Sequence, residues 1–193
     1  MSKILLFIKF LWYYFWGNFF AIFYYDRSYL KGKYFQGRVF GIVSHGWRWA
    51  AYDGASRLFI RNNQKVPWPV SYKVHITNPQ NIIFDPDDLH IFHTFGTYFQ
   101  GLDAKVFIGK GTWIAPNVGL ITANHDLDNL NTHTKGKDII LGKKNWVGMN
   151  SVILPGVVLG DNTVVGAGSV VTKSFPEGNC VIAGNPAKKI KDL

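Results

Sequence analysis

Cysteine is nearly absent: Cys180 stands alone in 193 residues, so no intrachain disulfide is possible. Nothing then requires an oxidising compartment, and the cytoplasm is the default expectation. Acidic residues are also scarce, 12 against 21 lysines and arginines, for a net charge of +9 at pH 7. Such an excess favours phosphate-bearing ligands, an anionic lipid surface, an acidic polysaccharide or nucleic acid. The cations are scattered and form neither a basic helix nor a nucleic-acid motif, so no nucleic-acid partner is expected. The hydrophobic N-terminus lacks the small-residue cleavage pattern of a secretory signal. What remains is a chain that is 47% apolar, long enough for one well-cored domain with an appendage.

A period of six runs through the second half. From Ile108 the chain reads IGKGTW, IAPNVG, LITANH, and the phase resumes at Leu141 with LGKKNW, VGMNSV, ILPGVV, LGDNTV, VGAGSV, VTKSFP. All nine hexads open on Ile, Leu or Val, and Gly or Ala follows in six. A looser set in similar phase, VSYKVH, ITNPQN and IIFDPD, begins at Val70. Neither a helix nor an ordinary strand repeats at six. A triangular coil does: each hexad supplies a short strand and a corner, the aliphatic opener points inward, and Gly, Asn or Asp takes the turn.

Between His125 and Leu141 the phase breaks for DLDNLNTHTKGKDII, a polar stretch that a packed coil cannot absorb. It is expected to project as an external loop, 126–140, and insertions of this kind mark the binding face of repeat scaffolds. His125, flanked by Asn124 and Asp126, sits where the regular repeat stops.

From about Gly96 to Leu193 the segments TWIAPNVGLITANHD, NWVGMNSVILPGVVLGDNTVVGAGSVVTKSFP and VIAGNPAKKI, in that order, resemble the hexapeptide-repeat acyltransferases. The likeness is to the galactoside and maltose O-acetyltransferase group, and to members acting on bacterial surface sugars. It implies a left-handed parallel β-helix, an acetyl-CoA donor and a homotrimer with the acyl site between subunits. It also implies that His125, nine residues after Pro116, is the catalytic base. An imidazole near pKa 6.5 suits the task, since a sugar hydroxyl must lose its proton as it attacks a thioester. Asp126 or a loop carbonyl would orient the ring. His133, in the loop, and His93 are candidate acceptor-site residues, as are Tyr98 and Gln100, which align loosely with the family's acceptor-site asparagines.

By the same resemblance Trp146, Met149, Ala167, Thr172 and Lys173 fall at coenzyme A contacts, and Lys188, Lys189 and Lys191 meet its phosphates. Met149 departs from the galactoside enzymes, which carry a serine there, so any donation to the oxyanion at this position falls to a backbone N–H. No metal is required, and residues 94–193 hold only two histidines, short of the three that zinc-bearing relatives present.

Residues 4–25 contain twelve aromatics. Read as a helix, they place Ile4, Ile8, Leu11, Trp12, Phe15, Phe19, Ile22 and Phe23 on one face, with Lys9, Tyr13, Tyr14, Gly17, Asn18, Tyr24 and Tyr25 opposite. Arg27, Lys31 and Lys33 follow. Trp and Tyr favour the headgroup region, so an interfacial helix on the inner face of the cell membrane is expected rather than a spanning one.

The expected architecture is all-β, a left-handed parallel β-helix at 70–193, preceded by an aromatic amphipathic segment at 1–33 and a linking region at 34–69. The expected activity is O-acetylation of a sugar hydroxyl on a bacterial surface polysaccharide or its lipid-linked precursor. The alternatives are N-acetylation of an amino sugar nucleotide and a noncatalytic trimeric glycan-binding scaffold.

Overall fold

The computed structural model describes residues 3–37 and 44–193; residues 1–2 and 38–43, from the N-terminal segment and the linking region, lie outside the described residues. The chain divides into two compact units, Met1–Tyr72 and Lys73–Leu193.

The first unit is helical, so the all-β expectation holds only for the second. Its helix α1 (Lys3–Tyr24) packs against α2 (His45–Arg57), which repeat reasoning did not foresee. No β-branched residue occurs in HGWRWAAYDGASR, and the small residues Gly46, Ala50, Ala51 and Gly54 are buried along α2: Gly54 lets Phe20 of α1 approach closely, and Gly46 lies against Tyr34 and Phe35. Tyr13, Phe20 and Ala21 of α1 are buried. The eight apolar-face residues from Ile4 to Phe23 named above remain 40% to 73% exposed.

A buried ion pair locks the unit. Arg57 donates to the Asp53 carboxylate from Nη2 at 2.9 Å and Nε at 3.1 Å, and to the Val66 and Trp68 carbonyls at 2.9 and 3.2 Å. Asp53 also accepts from the Tyr25 hydroxyl at 2.7 Å and the Val70 N–H at 3.4 Å. Burial pushes the Tyr25 hydroxyl well above its ordinary range, so it stays a donor. Burial raises the Asp53 carboxyl above its ordinary range despite the Arg57 charge and these donors, so the partners offset its desolvation only in part.

The second unit is a coil of three parallel sheets. Its strands are β1 (His75–Ile76), β2 (Ile82–Ile83), β3 (Tyr98–Gln100), β4 (Val106–Ile108), β5 (Trp113–Ile114), β6 (Gly119–Ile121) and β7 (Ile139–Leu141). They continue as β8 (Trp146–Val147), β9 (Val152–Ile153), β10 (Val158–Leu159), β11 (Thr163–Val165) and β12 (Val170–Val171), closing with β13 (Cys180–Gly184) and β14 (Ala187–Asp192). Sheet A stacks β1-β3-β6-β9-β12, sheet B β2-β4-β7-β10, and sheet C β5-β8-β11-β13-β14. From β3 to β12 successive strands thus visit A, B and C in turn. Only β14 runs antiparallel, folding back on β13 and ending the stack. At the other end the turn Pro86–His93 takes the third side of the first coil, tied by Lys110 to Asp85 and Asp87 and by the Asp88 carboxylate accepting the Gly111 N–H.

The hexad places have distinct physical duties. All nine openers, from Ile108 to Val171, are at most 5% exposed. The fourth place has positive φ in seven hexads, at Gly111, Asn117, Lys144, Asn150, Gly156, Asn162 and Gly168. Gly and Asn take this conformation at least cost, and Lys144 is the exception in kind. The second place lies against the next coil: a Cβ on Gly142 would stand 2.6 Å from the Asp161 nitrogen and the Gly160 carbonyl carbon. The fifth place is buried in eight hexads, Asn124 being the exception. Where it is polar it bonds internally: Thr112 to the Gly142 carbonyl, Thr163 N–H to the Asn145 side chain, Ser151 and Ser169 to the Gly166 carbonyl.

Gly142→Ala is expected to destabilise the coil by about 1–3 kcal/mol through overpacking. Gly119→Ala, whose Cβ would meet nothing closer than 3.7 Å, is expected to be neutral or stabilising by up to about 1 kcal/mol. Denaturant midpoints of the two variants check the contrast.

Candidate active site

The third coil leaves sheet A at Ile121 and enters sheet B only at Ile139. Hydrogen bonds pin both feet of the excursion. Lys137 N–H donates to the Thr122 carbonyl at 2.8 Å, and the Thr122 hydroxyl donates to the Leu102 carbonyl of the preceding coil at 2.9 Å. Beyond them the chain folds back on itself: Thr134 donates to the Asn124 carbonyl from N at 2.9 Å and Oγ1 at 3.2 Å, and Asp126 N–H to the Thr132 carbonyl at 3.0 Å. His125 and His133 form an antiparallel bridge at the base of this tongue.

Their rings lie 4.4 Å apart between centroids, at 34° between planes. His125 Nδ1 is 2.8 Å from the Leu130 carbonyl oxygen. A carbonyl only accepts, so in the neutral ring Nδ1 carries the proton and Nε2 keeps its lone pair. Of the two orienters the sequence left open, the loop carbonyl is the one at hand. Asp126 turns its carboxylate to the Asp128 N–H at 2.9 Å instead. Leu130 had no sequence signal, because its contribution is a backbone oxygen that no side-chain pattern encodes.

The other candidates separate by place. Gln100, at the same corner one coil earlier, accepts the Ala123 N–H on its side-chain oxygen at 2.9 Å, and so supports the strand end that carries His125. Tyr98 shares β3 and stacks on His75 at 5.3 Å. His93 ends the turn of the first coil, two coils before His125. Thr172 and Lys173 follow β12 at the sheet A to sheet B corner, as His125 follows β6, and the Lys173 ammonium lies 5.6 Å over the Phe175 ring.

Met149 and Ala167 occupy the opposite corner, between sheets C and A, and Trp146 stands 57% exposed on sheet C. At that corner the Gly148 N–H is taken by the Val165 carbonyl and the Gly168 N–H by the Met149 carbonyl, each at 2.8 Å. Lys188, Lys189 and Lys191 are exposed on β14, and Lys189 pairs with Asp192, whose carboxylate holds the ammonium above its ordinary range. One chain therefore brings His125, Asn124, Asp126, His133 and Gln100 together, but places Met149 and Ala167 across the width of sheet A from them.

Residues 138–173 match the model of the bacterial transferase hexapeptide, six repeats. These residues lie within the coil and carry the repeat that the model describes. The chain is 42% identical over 112 residues to a galactoside O-acetyltransferase of Escherichia coli, covering 55% of each chain. It is 40% identical over 99 residues to a putative lipopolysaccharide biosynthesis O-acetyl transferase, WbbJ, of the same species, covering 45% of this chain and 50% of the other. It thus spans about half the length of the curated relatives it matches. Among solved structures, AntD, an N-acyltransferase from Bacillus cereus in complex with dTDP and coenzyme A, shares the fold. Its TM-score is 0.50 at 22% identity, over 64% of this chain and 79% of that one.

Gln100→Leu leaves the buried Ala123 N–H without its acceptor, a loss of about 1–3 kcal/mol. Amide exchange at Ala123 is expected to accelerate in this variant and to return toward the native rate in Gln100→Glu, which restores an acceptor.

Proposed function

We propose that the chain is an acetyl-CoA-dependent O-acetyltransferase acting on a sugar hydroxyl of a bacterial surface polysaccharide or its lipid-linked precursor, with His125 as general base. The observation that carries this reading is the Leu130 carbonyl at His125 Nδ1, which leaves Nε2 as the proton acceptor. The two O-acetyltransferase relatives supply the reaction class. The sugar hydroxyl gives its proton to Nε2 as its oxygen attacks the thioester carbonyl carbon. The tetrahedral intermediate collapses, the carbon–sulfur bond breaks, and the imidazolium returns the proton to sulfur, leaving an acetyl ester and free coenzyme A. Asn124, His133, Tyr98 and Gln100 border the acceptor, with Gln100 acting through Ala123.

In this reading the coil winds left-handed and three copies pack side by side. Met149 and Ala167 lie at a different corner from His125, so a neighbour's corner facing His125 completes the acyl site. Trp146, Thr172 and Lys173 extend that donor groove, and Lys188, Lys189 and Lys191 supply charge for the phosphates. Trp113 and Trp146, paired in register and 60% and 57% exposed, form an apolar strip that a lone coil leaves uncovered.

The first unit holds the enzyme on the cytoplasmic face of the membrane. Ile4–Tyr24 is long and apolar enough to cross a bilayer. The interfacial orientation is supported by the burial of Tyr13, Phe20 and Ala21, which leaves the opposite apolar face uncovered from Leu11 onward, while Leu5, Leu6 and Phe7 are also exposed in the first turns.

His125→Asn is expected to lower turnover by about a hundredfold or more with acetyl-CoA affinity retained. Unchanged transfer by the folded variant would remove His125 from the mechanism. Sedimentation of the active protein is expected to give three chains, and an active monomer would rule out a shared site.

A further inference from the structure

The exposed face of α1 carries a polar terminus. Leu11, Phe15, Phe19 and Ile22 line an open trough of about 570 Å³ that reaches Arg27. A second hollow of about 270 Å³ shares Asn18 and Arg27 with it and is bounded by Lys31, Leu30 and Trp47. Arg27 thus stands where a hydrocarbon-lined channel meets a pocket whose other cation is Lys31.

Asn18 turns its amide nitrogen back to the Tyr14 carbonyl at 2.8 Å, so the charge at this junction comes from the two cations. Both are exposed, and among the described residues neither forms an ion pair. The adjacent carboxylate, Asp26, accepts the Ser28 N–H at 2.8 Å and caps the short turn Arg27–Lys31. One carboxylate beside two cations leaves the junction positive.

We propose that this junction binds one phosphate-headed lipid, its phosphate between Arg27 and Lys31 and a hydrocarbon chain along Leu11, Phe15, Phe19 and Ile22. The guanidinium fork takes two phosphate oxygens, and the ammonium adds a point charge. Leu11 to Ile22 covers about 16 Å of helix axis, a length that one extended acyl chain can follow. A free phosphate would leave the trough empty, which is why the occupant is a lipid. The inference rests on the membrane-surface reading and sharpens it from general adhesion to a defined site.

The test uses the full-length protein with vesicles of phosphatidylcholine alone or doped with phosphatidylglycerol. Wild type is compared with Arg27→Gln/Lys31→Gln and with a charge-matched control, Lys65→Gln/Lys143→Gln. The first pair is expected to weaken binding to doped vesicles by about tenfold or more, and the control pair by much less. After mild detergent extraction, native mass spectrometry is expected to find one phosphatidylglycerol per chain on wild type and control, and none on Arg27→Gln/Lys31→Gln. Equal losses in the two double variants, or retention of the lipid by Arg27→Gln/Lys31→Gln, would overturn the site while leaving membrane binding intact. Failure of wild type to bind either vesicle would overturn the membrane reading itself.

Discussion

The coil stacks only if each corner can turn tightly and the next turn can lie directly on it. Positive φ at the fourth hexad place meets the first demand. The second falls on the second place, where Gly142 already faces the Asp161 nitrogen and the Gly160 carbonyl carbon. Once these corners hold, the aliphatic openers are driven inward by burial, and the polar fifth-place side chains find partners inside the coil. Chemistry on such a scaffold belongs where the rule lapses.

That lapse is at Asn124, the one fifth-place residue left exposed. The chain cannot close the corner there because 126–138 intervenes, and the freed backbone groups are satisfied by the tongue itself through Thr134, Thr132 and Lys137. The same closure sets the Leu130 carbonyl against His125 and lays the His133 ring beside it. A rigid coil below, with Gln100 holding Ala123, supports an imidazole whose tautomer is set by the loop above.

The helical unit departs from the usual distribution along α1. Trp68, Phe20 and Phe35 are buried around the Asp53–Arg57 ion pair, yet Ile4, Trp12, Phe15, Ile22 and Phe23 of α1 stay more than half exposed. Water does not favour that arrangement, and a lipid surface does. Anchoring of this kind would confine an enzyme with acceptors held at the same surface, raising their effective concentration without further contacts.

The period of six, the inward openers, the departure of the loop after His125 and the apolar face of α1 were legible in the sequence, because each is a local rule repeated along the chain. Helix α2 was not, since its packing face is made of Gly and Ala and carries no hydrophobic periodicity. Nor was the partner of His125: Asp126 and a carbonyl were equal candidates until the turn at 128–132 brought Leu130 to Nδ1. The trough ending at Arg27 and Lys31 also required the fold, because it depends on how α1, the following turn and α2 meet. Within the coil, sequence by itself determined which residues are buried or turned, since burial and backbone conformation there follow the hexad place and its side-chain type. Tertiary structure alone decided which backbone oxygen faces the imidazole and which side of sheet A each site residue occupies, because those depend on where distant segments come to rest.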